Sequence, residues 1–420
     1  MKLTETQQDA VEGIIGHLRS GNRIASLVGY AGTGKTTLLM EVYKELPETI
    51  FLTPTHKAKG VLFKKLCKVA DTNAEPPDVR TVTSFLKDFK GTKEECMLQT
   101  IDLLEMAGKK YKKELRKWYE NLEKVRDKGQ AQDPVFADKE DADADTIVCD
   151  EASMITRTDR NAIELRCRAG VMVGDGFQAP PVVSRSQLDY EDWFGKAKHN
   201  WALTEVLRND EGVLKLATII RKLGGDDKVD LEKTIRDLNL PDLKVIAKTP
   251  KLQSRAADDN YMFLSFMNKN VDSLSFGTRR ALGREPNCID VDDRLYANNS
   301  FGTIVNKTEL APKEFIKLST QGPSYANVLN IETGEVSNTM INPARLLTGI
   351  PESERKRRSS DKGLIARYDY ARTIHGAQGS EWKNVVYQHQ GFEWMTTEQY
   401  NRLVYTAVTR AQKNFALLKS

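Results

Sequence analysis

The sequence predicts an α/β protein built from two parallel-sheet domains, the first with a helical insertion and the second with a small β-barrel-like one. Three observations lead there. An apolar run, Ile24–Val28, feeds a glycine-rich loop and then the helix-favouring Leu38–Val42. Short buried-strand runs separated by helical stretches follow at Thr49–Thr53, Thr146–Cys149 and Gly170–Gly174, and return at Leu243–Ala247, Tyr261–Phe266, Asn384–Tyr387 and Asn414–Leu418. Two stretches break this rhythm, one helical and highly charged, one turn-rich and β-like. On this basis the first domain spans residues 1–185 with an insertion at about 90–145, and the second spans 186–420 with an insertion at about 285–365.

A chain of 420 residues is long enough for two or three domains with cores of their own. No run of eighteen or more apolar residues occurs, and MKLTETQQDAVEGI lacks the apolar centre of a signal peptide, so a cytoplasmic protein with no membrane partner is expected. Five scattered cysteines, none in a CxxC pair, argue against a disulfide framework or a structural zinc. The net charge of +4, from 63 basic and 59 acidic residues, is too slight to identify a partner. Two local basic clusters, Lys109–Lys113 running on to Trp118 and Arg355–Arg358, fit a nucleic-acid contact and a solvated charged surface equally well.

Leu3–Leu18 carries an amphipathic helical pattern with Thr4 as N-cap, and Gln7 near its start has the donor and acceptor needed to read an adenine edge. Next comes VGYAGTGKTT, Val28–Thr37, a complete GxxxxGKT between strand and helix. Gly29, Gly32 and Gly34 let the backbone turn so that N–H groups, including those of Thr33 and Thr37, face phosphate oxygens; Lys35 reaches the β and γ phosphates and Thr36 holds magnesium. A nucleoside triphosphate with Mg2+ is the expected ligand. Thr55, His56 and Lys57 follow a strand's C-terminal end, where functional loops of parallel sheets lie; they suit a phosphodiester backbone or simply a helix start. Thr81–Phe85 is a second such stretch.

Met97–Lys128 is charged and helical, ends in the acidic run Asp138–Asp145, and has the look of an arm inserted in the sheet domain. In Thr146–Met154 a strand ends in consecutive acids, which places Asp150 to hold magnesium and Glu151 to activate water as a general base. Gln178, beyond the strand Gly170–Gly174, is placed to sense a γ phosphate. The second half has no phosphate loop of its own. It supplies Arg208 in LTEVLR and Arg410 in VYTAVTR, arginines that one domain can present to a triphosphate held on the other, unless they form surface ion pairs.

Taken together, LTETQQDAV, GYAGTGKTT, TPTHKAK, TVTSF, VCDEASM, VGDGFQAPP, LTEVLRND, TIHGAQGSEW and VYTAVTRA resemble, in order, the motif series of a superfamily 1 helicase. The resemblance is closest to the Dda-like and RecD-like branch, of phage type. It implies two RecA-like domains sharing one ATP, with single-stranded DNA across both. It places Gln378, Gly379 and Glu381 near the nucleotide, and Thr55, His56, Thr83, Asn268, Thr373 and His375 near the DNA strand. Two departures stand out: the first insertion is longer and more helical than the family's short β hairpin with its aromatic wedge, and Ala179 replaces the leucine usual in RecD-like chains.

The function expected is an ATP-dependent 5′-3′ DNA helicase or single-strand translocase, a monomer acting on single-stranded and tailed duplex DNA in replication, recombination or repair. A single-strand-binding or replisome protein is the expected companion, and phage-infected bacterial cytoplasm the expected setting. The alternatives are an RNA helicase of the same superfamily and an ATP-switched binding protein without unwinding; Glu151 speaks against the second, since a pure switch needs no base.

Overall fold

Parallel pairing organises both large sheets. The computed structural model describes residues 3–21, 23–70, 76–106, 112–127, 134–139, 143–181, 192–205, 211–299, 301, 304, 308–320, 322–331, 333–350, 354, 363–390 and 394–419. The basic residues 109–111 and 355–358, Arg208, and most of the segment 302–306 lie outside them. The chain divides into two compact units: 1–86, 141–278 and 370–420 form one, and 87–140 with 279–369 form the other.

The first unit holds both parallel sheets. Its strands in the first part of the chain are β1 (Ile24–Gly29), β2 (Ile50–Thr53) and β3 (Val79–Thr81), and, after the excursion β4 (Lys87–Thr92) and β5 (Pro134–Asp138), β6 (Ala144–Cys149), β7 (Cys167–Gly174) and β8 (Trp201–Leu203). The six-stranded order is β3-β2-β6-β7-β1-β8, every pair parallel. Because β8 joins β1, the first sheet continues past residue 185, where the sequence pattern ended the first domain; three residues are too short a run to register as a strand.

The helix α1 (Glu5–Ser20) starts at a capping box, Thr4 with Gln7, and stops at Gly21. Its Ala10, Val11, Ile14, Ile15 and Leu18, spaced three or four apart, are buried against Leu27, Leu38, Leu39 and Val171. Full burial of Ile14 and Leu18 contributes about 2 kcal/mol each.

In the later part of the chain come β9 (Leu243–Ile246), β10 (Tyr261–Ser265), the short pairs and barrel β11 (Cys288–Ile289), β12 (Leu295–Ala297), β13 (Glu309–Pro312), β14 (Ile316–Lys317), β15 (Ser324–Asn330), β16 (Val336–Asn342) and β17 (Leu364–Tyr368), and then β18 (Ala371–Thr373), β19 (Trp382–Gln388) and β20 (Ala411–Leu418). The second parallel sheet has the order β18-β10-β19-β20-β9. One face of it packs Met262, Leu264, Val385 and Phe415 against Leu216 and Ile220 of the Glu211–Leu223 helix and Leu403, Val404 and Ala407 of the Thr397–Val408 helix. The latter, called here the C-terminal helix, is buried without interruption from Tyr400 to Val408, so it is enclosed on all sides.

The second unit contains the two insertions. Strands β12, β13, β15, β16 and β17 close a barrel, antiparallel except at β16–β17, in the turn-rich stretch where a barrel was expected. The insertion of the first domain does carry helices, Lys93–Met106 and Lys112–Asp127. They stand on an antiparallel ribbon, β4 with β5, that the sequence reading missed. Its strands lie about forty residues apart and carry Lys87, Asp88, Lys90 and Gly91, too polar for an alternating pattern to register. Among the described residues, no helix is long and apolar enough to cross a membrane.

Candidate functional site: a cleft between two lobes

The phosphate loop closes on itself. Gly32 and Gly34 adopt φ of 80° and 81°, which lets the chain turn back and deliver Lys35 as the first residue of the helix Lys35–Glu45. The Lys35 ammonium donates to the carbonyls of Gly29, at 2.8 Å, and Tyr30, at 3.0 Å, while the Thr33 hydroxyl donates to Tyr30. These bonds span a few residues each and fold the loop around the axis of the helix, whose N-terminal N–H groups face outward to an anion.

The cleft in front of the loop has a volume of about 700 Å³. Gly32, Gly34, Lys35, Thr36 and Thr37 line it from the loop, Asp150 and Glu151 from the end of β6, Gln178 from beyond β7, and Gly379, Ser380, Glu381 and Arg410 from the second sheet. The predicted groups of the two halves therefore meet at one place. Arg410 is buried, its guanidinium donating to the carbonyls of Thr406 and Ser380 and to the Thr409 hydroxyl.

Asp150 and Glu151 differ sharply although adjacent. Burial, with the Glu151 charge beside it, pushes the Asp150 carboxyl up to about 6 against the opposing pull of Lys35. Its Oδ1 accepts the Glu151 N–H at 2.9 Å. Glu151 sits at φ 53°, a left-handed conformation that costs a side-chain-bearing residue about 1 kcal/mol or more. Its buried Oε2 has no hydrogen-bond partner among the described residues, and the same is true of the Gln178 Oε1. These two buried acceptors share the cleft with Lys35 and Arg410, and their lone pairs are available to a bound group or water.

Other expected residues are placed differently. Gln7 lines the cleft, but its amide donates to the Thr33 carbonyl at 2.9 Å and accepts from the Thr4 N–H, so it braces the loop. Gln378 is buried and absent from the lining; its amide donates to the Ala179 carbonyl at 2.8 Å, joining the halves. Gly29 and Thr33 lie behind the loop surface. Thr55, His56, Thr83, Asn268, Thr373 and His375 lie at or just beyond the C-terminal ends of β2, β3, β10 and β18, adjoining strands in their respective sheets. Thr55 caps its helix by accepting the Ala58 N–H, and the Thr373 hydroxyl accepts the Gly376 N–H. Burial lowers the pKa of His56, with Lys59 adding to it, and takes that of His375 down to about 4; the His375 ring lies 5.9 Å from Phe266.

Sequence reasoning passed over the residues that hold the halves together. Arg402 of the C-terminal helix donates twice to the Gln178 carbonyl and pairs with Asp192 at 2.9 Å. The Thr406 hydroxyl accepts the Ala179 N–H at 2.8 Å, and the Tyr405 phenol donates to Asp175 at 2.6 Å. Tyr405, Thr406 and Asp175 stand inside motif strings already singled out, which was the available signal; Arg402 and Asp192 offered none.

A phosphate loop, paired carboxylates and a second-lobe arginine around one cleft between two parallel sheets define a P-loop ATPase, and the matching family models make it one of the superfamily 1 helicase class. The chain belongs to the AAA domain family, whose model matches residues 2–235, and residues 368–418 match the UvrD-like helicase C-terminal domain. Solved Pif1 helicases are among the structures that share its fold. The Pif1 helicase from Candida albicans is 17% identical over 100% of this chain and 95% of its own, with a TM-score of 0.51. Bacteroides Pif1 bound to ssDNA is 14% identical over 99% and 92%, at 0.55. The Pif1 helicase from Bacteroides in complex with ADP-AlF3 and ssDNA is 13% identical over 99% and 92%, at 0.53. No curated protein matches this chain.

Proposed function

We propose that this chain is an ATP-driven DNA helicase that moves 5′ to 3′ along single-stranded DNA and opens tailed duplexes in replication, recombination or repair, as a Dda-like or RecD-like enzyme of phage type. The observation that carries it is the joint lining of one cleft by Lys35, Asp150 and Glu151 from the first lobe and Arg410 from the second. A ligand bridging such groups binds closed and open lobes with different affinity, which is what a motor requires. In this reading Lys35 and the loop N–H groups hold the phosphates, Glu151 takes the proton of the attacking water, Gln178 orients it, and Arg410, joined by Arg208, offsets the charge on the transferred phosphoryl.

Magnesium fits the same residues. Asp150 is a buried carboxylate whose charge is disfavoured by burial and by Glu151, and a cation beside Thr36 would relieve both. Among the described residues no cluster of three or more His, Cys, Asp or Glu side chains is poised to hold a metal, so phosphate oxygens and water would complete the shell. The DNA strand would cross the C-terminal strand ends at Thr55, His56, Thr83, Asn268, Thr373 and His375; two of the structural neighbours, both Pif1 helicases, are bound to ssDNA. A monomer in the host cytoplasm, working with a single-strand-binding or replisome protein, completes the proposal.

The test is ATP turnover with DNA or RNA homopolymers, followed by displacement of duplexes tailed at either end. Stimulation by single-stranded DNA and displacement from a 5′ tail are expected. Turnover indifferent to DNA, or displacement only from a 3′ tail, rejects the motor reading or its direction respectively.

A further inference from the structure

Arg221 closes the Glu211–Leu223 helix, whose Val213, Leu216, Ala217 and Ile220 belong to the core of the second lobe. A basic residue in a last helical turn ordinarily faces water and complements the helix dipole. Here the guanidinium reaches across to the first lobe. It lies over the Tyr30 ring of the phosphate loop at 3.7 Å, and its Nη2 donates to the Asp175 carboxylate at 2.8 Å. Its Nη1 donates to the Tyr405 phenol oxygen at 3.1 Å. Tyr405 in turn donates to the other oxygen of Asp175 at 2.6 Å, and Ala31 directs its N–H at the same phenol at 3.5 Å.

Asp175 is fully buried, so its oxygens rely on these donors and on the Phe177 N–H at 3.1 Å. Burial and Asp175 both push the Tyr405 phenol up, which keeps it protonated and donating. Phe177 packs edge-on against Tyr405 at 5.2 Å and walls the cluster. None of Tyr30, Asp175, Arg221 and Tyr405 lines the nucleotide cleft, whereas Ala31, Lys35, Gln178 and Arg410 do. Tyr405 and Arg410 belong to one rigid stretch, since Arg410 follows the helix end directly and donates back to Thr406. Tyr30 faces both ways too: its ring carries Arg221 and its carbonyl receives Lys35.

We infer that Arg221 is a positioning residue for hydrolysis: with Asp175 and Tyr30 it clamps the C-terminal helix to the phosphate loop and so sets where Arg410 meets the nucleotide. The inference rests on the reading of Arg410 as a phosphate-facing group. Arginine suits the task because a planar guanidinium can stack on a ring and donate sideways at once, which lysine cannot do. Loss of the clamp leaves the loop's own hold on nucleotide in place and misplaces the arginine, which acts on the transition state.

The test is a double-mutant cycle on ATP turnover without nucleic acid, using R221A, R410A and the pair, with nucleotide affinity and melting temperature measured alongside. R221A is expected to lower kcat by about 10- to 100-fold while a fluorescent ATP analogue binds within about threefold of the parent, and R221K to restore only part. In the R410A background, adding R221A is expected to cost nothing further, because the two act in series. Should R221A fold poorly, Y405F removes only the bridging hydroxyl and is expected to show the same pattern. Additive losses in the cycle, an unchanged kcat, or equal losses of kcat and nucleotide affinity overturn the inference. A silent R410A would instead overturn the reading of the cleft on which it rests.

Discussion

The phosphate loop and the C-terminal helix meet where the Ala31 N–H points at the Tyr405 phenol, and they are held in place by different means. The bonds that set the loop's turn are short in range: Lys35 reaches back to Gly29 and Tyr30, Thr33 to Tyr30, and two glycines take the left-handed turns, with Gln7 and Leu203 adding longer-range braces at Thr33 and Tyr30. The helix is held by partners far along the chain, Arg402 bonding Gln178 across 224 residues, Thr406 receiving Ala179 across 227 and Tyr405 reaching Asp175 across 230. An element whose turn is set locally can present its N–H groups to phosphate with few distant partners. An element held at long range responds to how the lobes are disposed, which suits it to report closure.

The comparison can be broken first through Arg410. If the helix side contributes mainly to the transition state, R410A should lower kcat by about 10³-fold or more while ATP still binds. Steady-state turnover with parallel nucleotide titration checks it, and equal losses of both would make Arg410 a ground-state ligand like the loop. Next, E151Q tests the loop side, where loss of the base should cost about a hundredfold or more in kcat. Binding of ATP and of single-stranded DNA should persist, since the amide keeps the shape of Glu151 in its left-handed position.

Stability separates the two regions as well. Arg402 and Asp192 are largely buried, and R402M leaves the carboxylate unpaired and the Gln178 carbonyl without donors, so chemical denaturation should show a loss of about 3 kcal/mol. Removing the buried charge of Asp150, at the end of β6 opposite the loop, should do the reverse. The folded carboxyl of Asp150 titrates at about 6, above its ordinary 3.8, so the folded state holds a proton that the unfolded state has released between those pH values. What this group adds to stability is therefore greatest in acid and falls as pH rises through about 6. D150N should make the nucleotide-free protein more stable at pH 7.5 by roughly 3 kcal/mol, with the gain vanishing below pH 4. A melting-temperature series against pH reads it directly.

Much of the fold was legible because the signals were short in range. The strands β1, β2, β6, β7, β9, β10, β19 and β20 appear as apolar runs, and the loop as a glycine spacing. What escaped notice was either very short, as β8 and β18 are, or polar, as the β4–β5 ribbon is. Gln7 and Gln378 show the limit at the site itself. Residue type placed Gln7 at the nucleotide and the family resemblance placed Gln378 there, and only the folded chain gave their amides carbonyl partners, Thr33 and Ala179.

The sequence by itself determined that a triphosphate is held on a strand–loop–helix unit with two carboxylates behind it, because backbone turning and metal–phosphate chemistry demand those residues at those spacings. Only the tertiary structure decided which arginines and tyrosines of the second lobe reach that unit. Arg221, Arg402 and Tyr405 come to the boundary between the lobes through the packing of two helices on a distant sheet, and side-chain burial of that kind leaves no spacing in the chain to read.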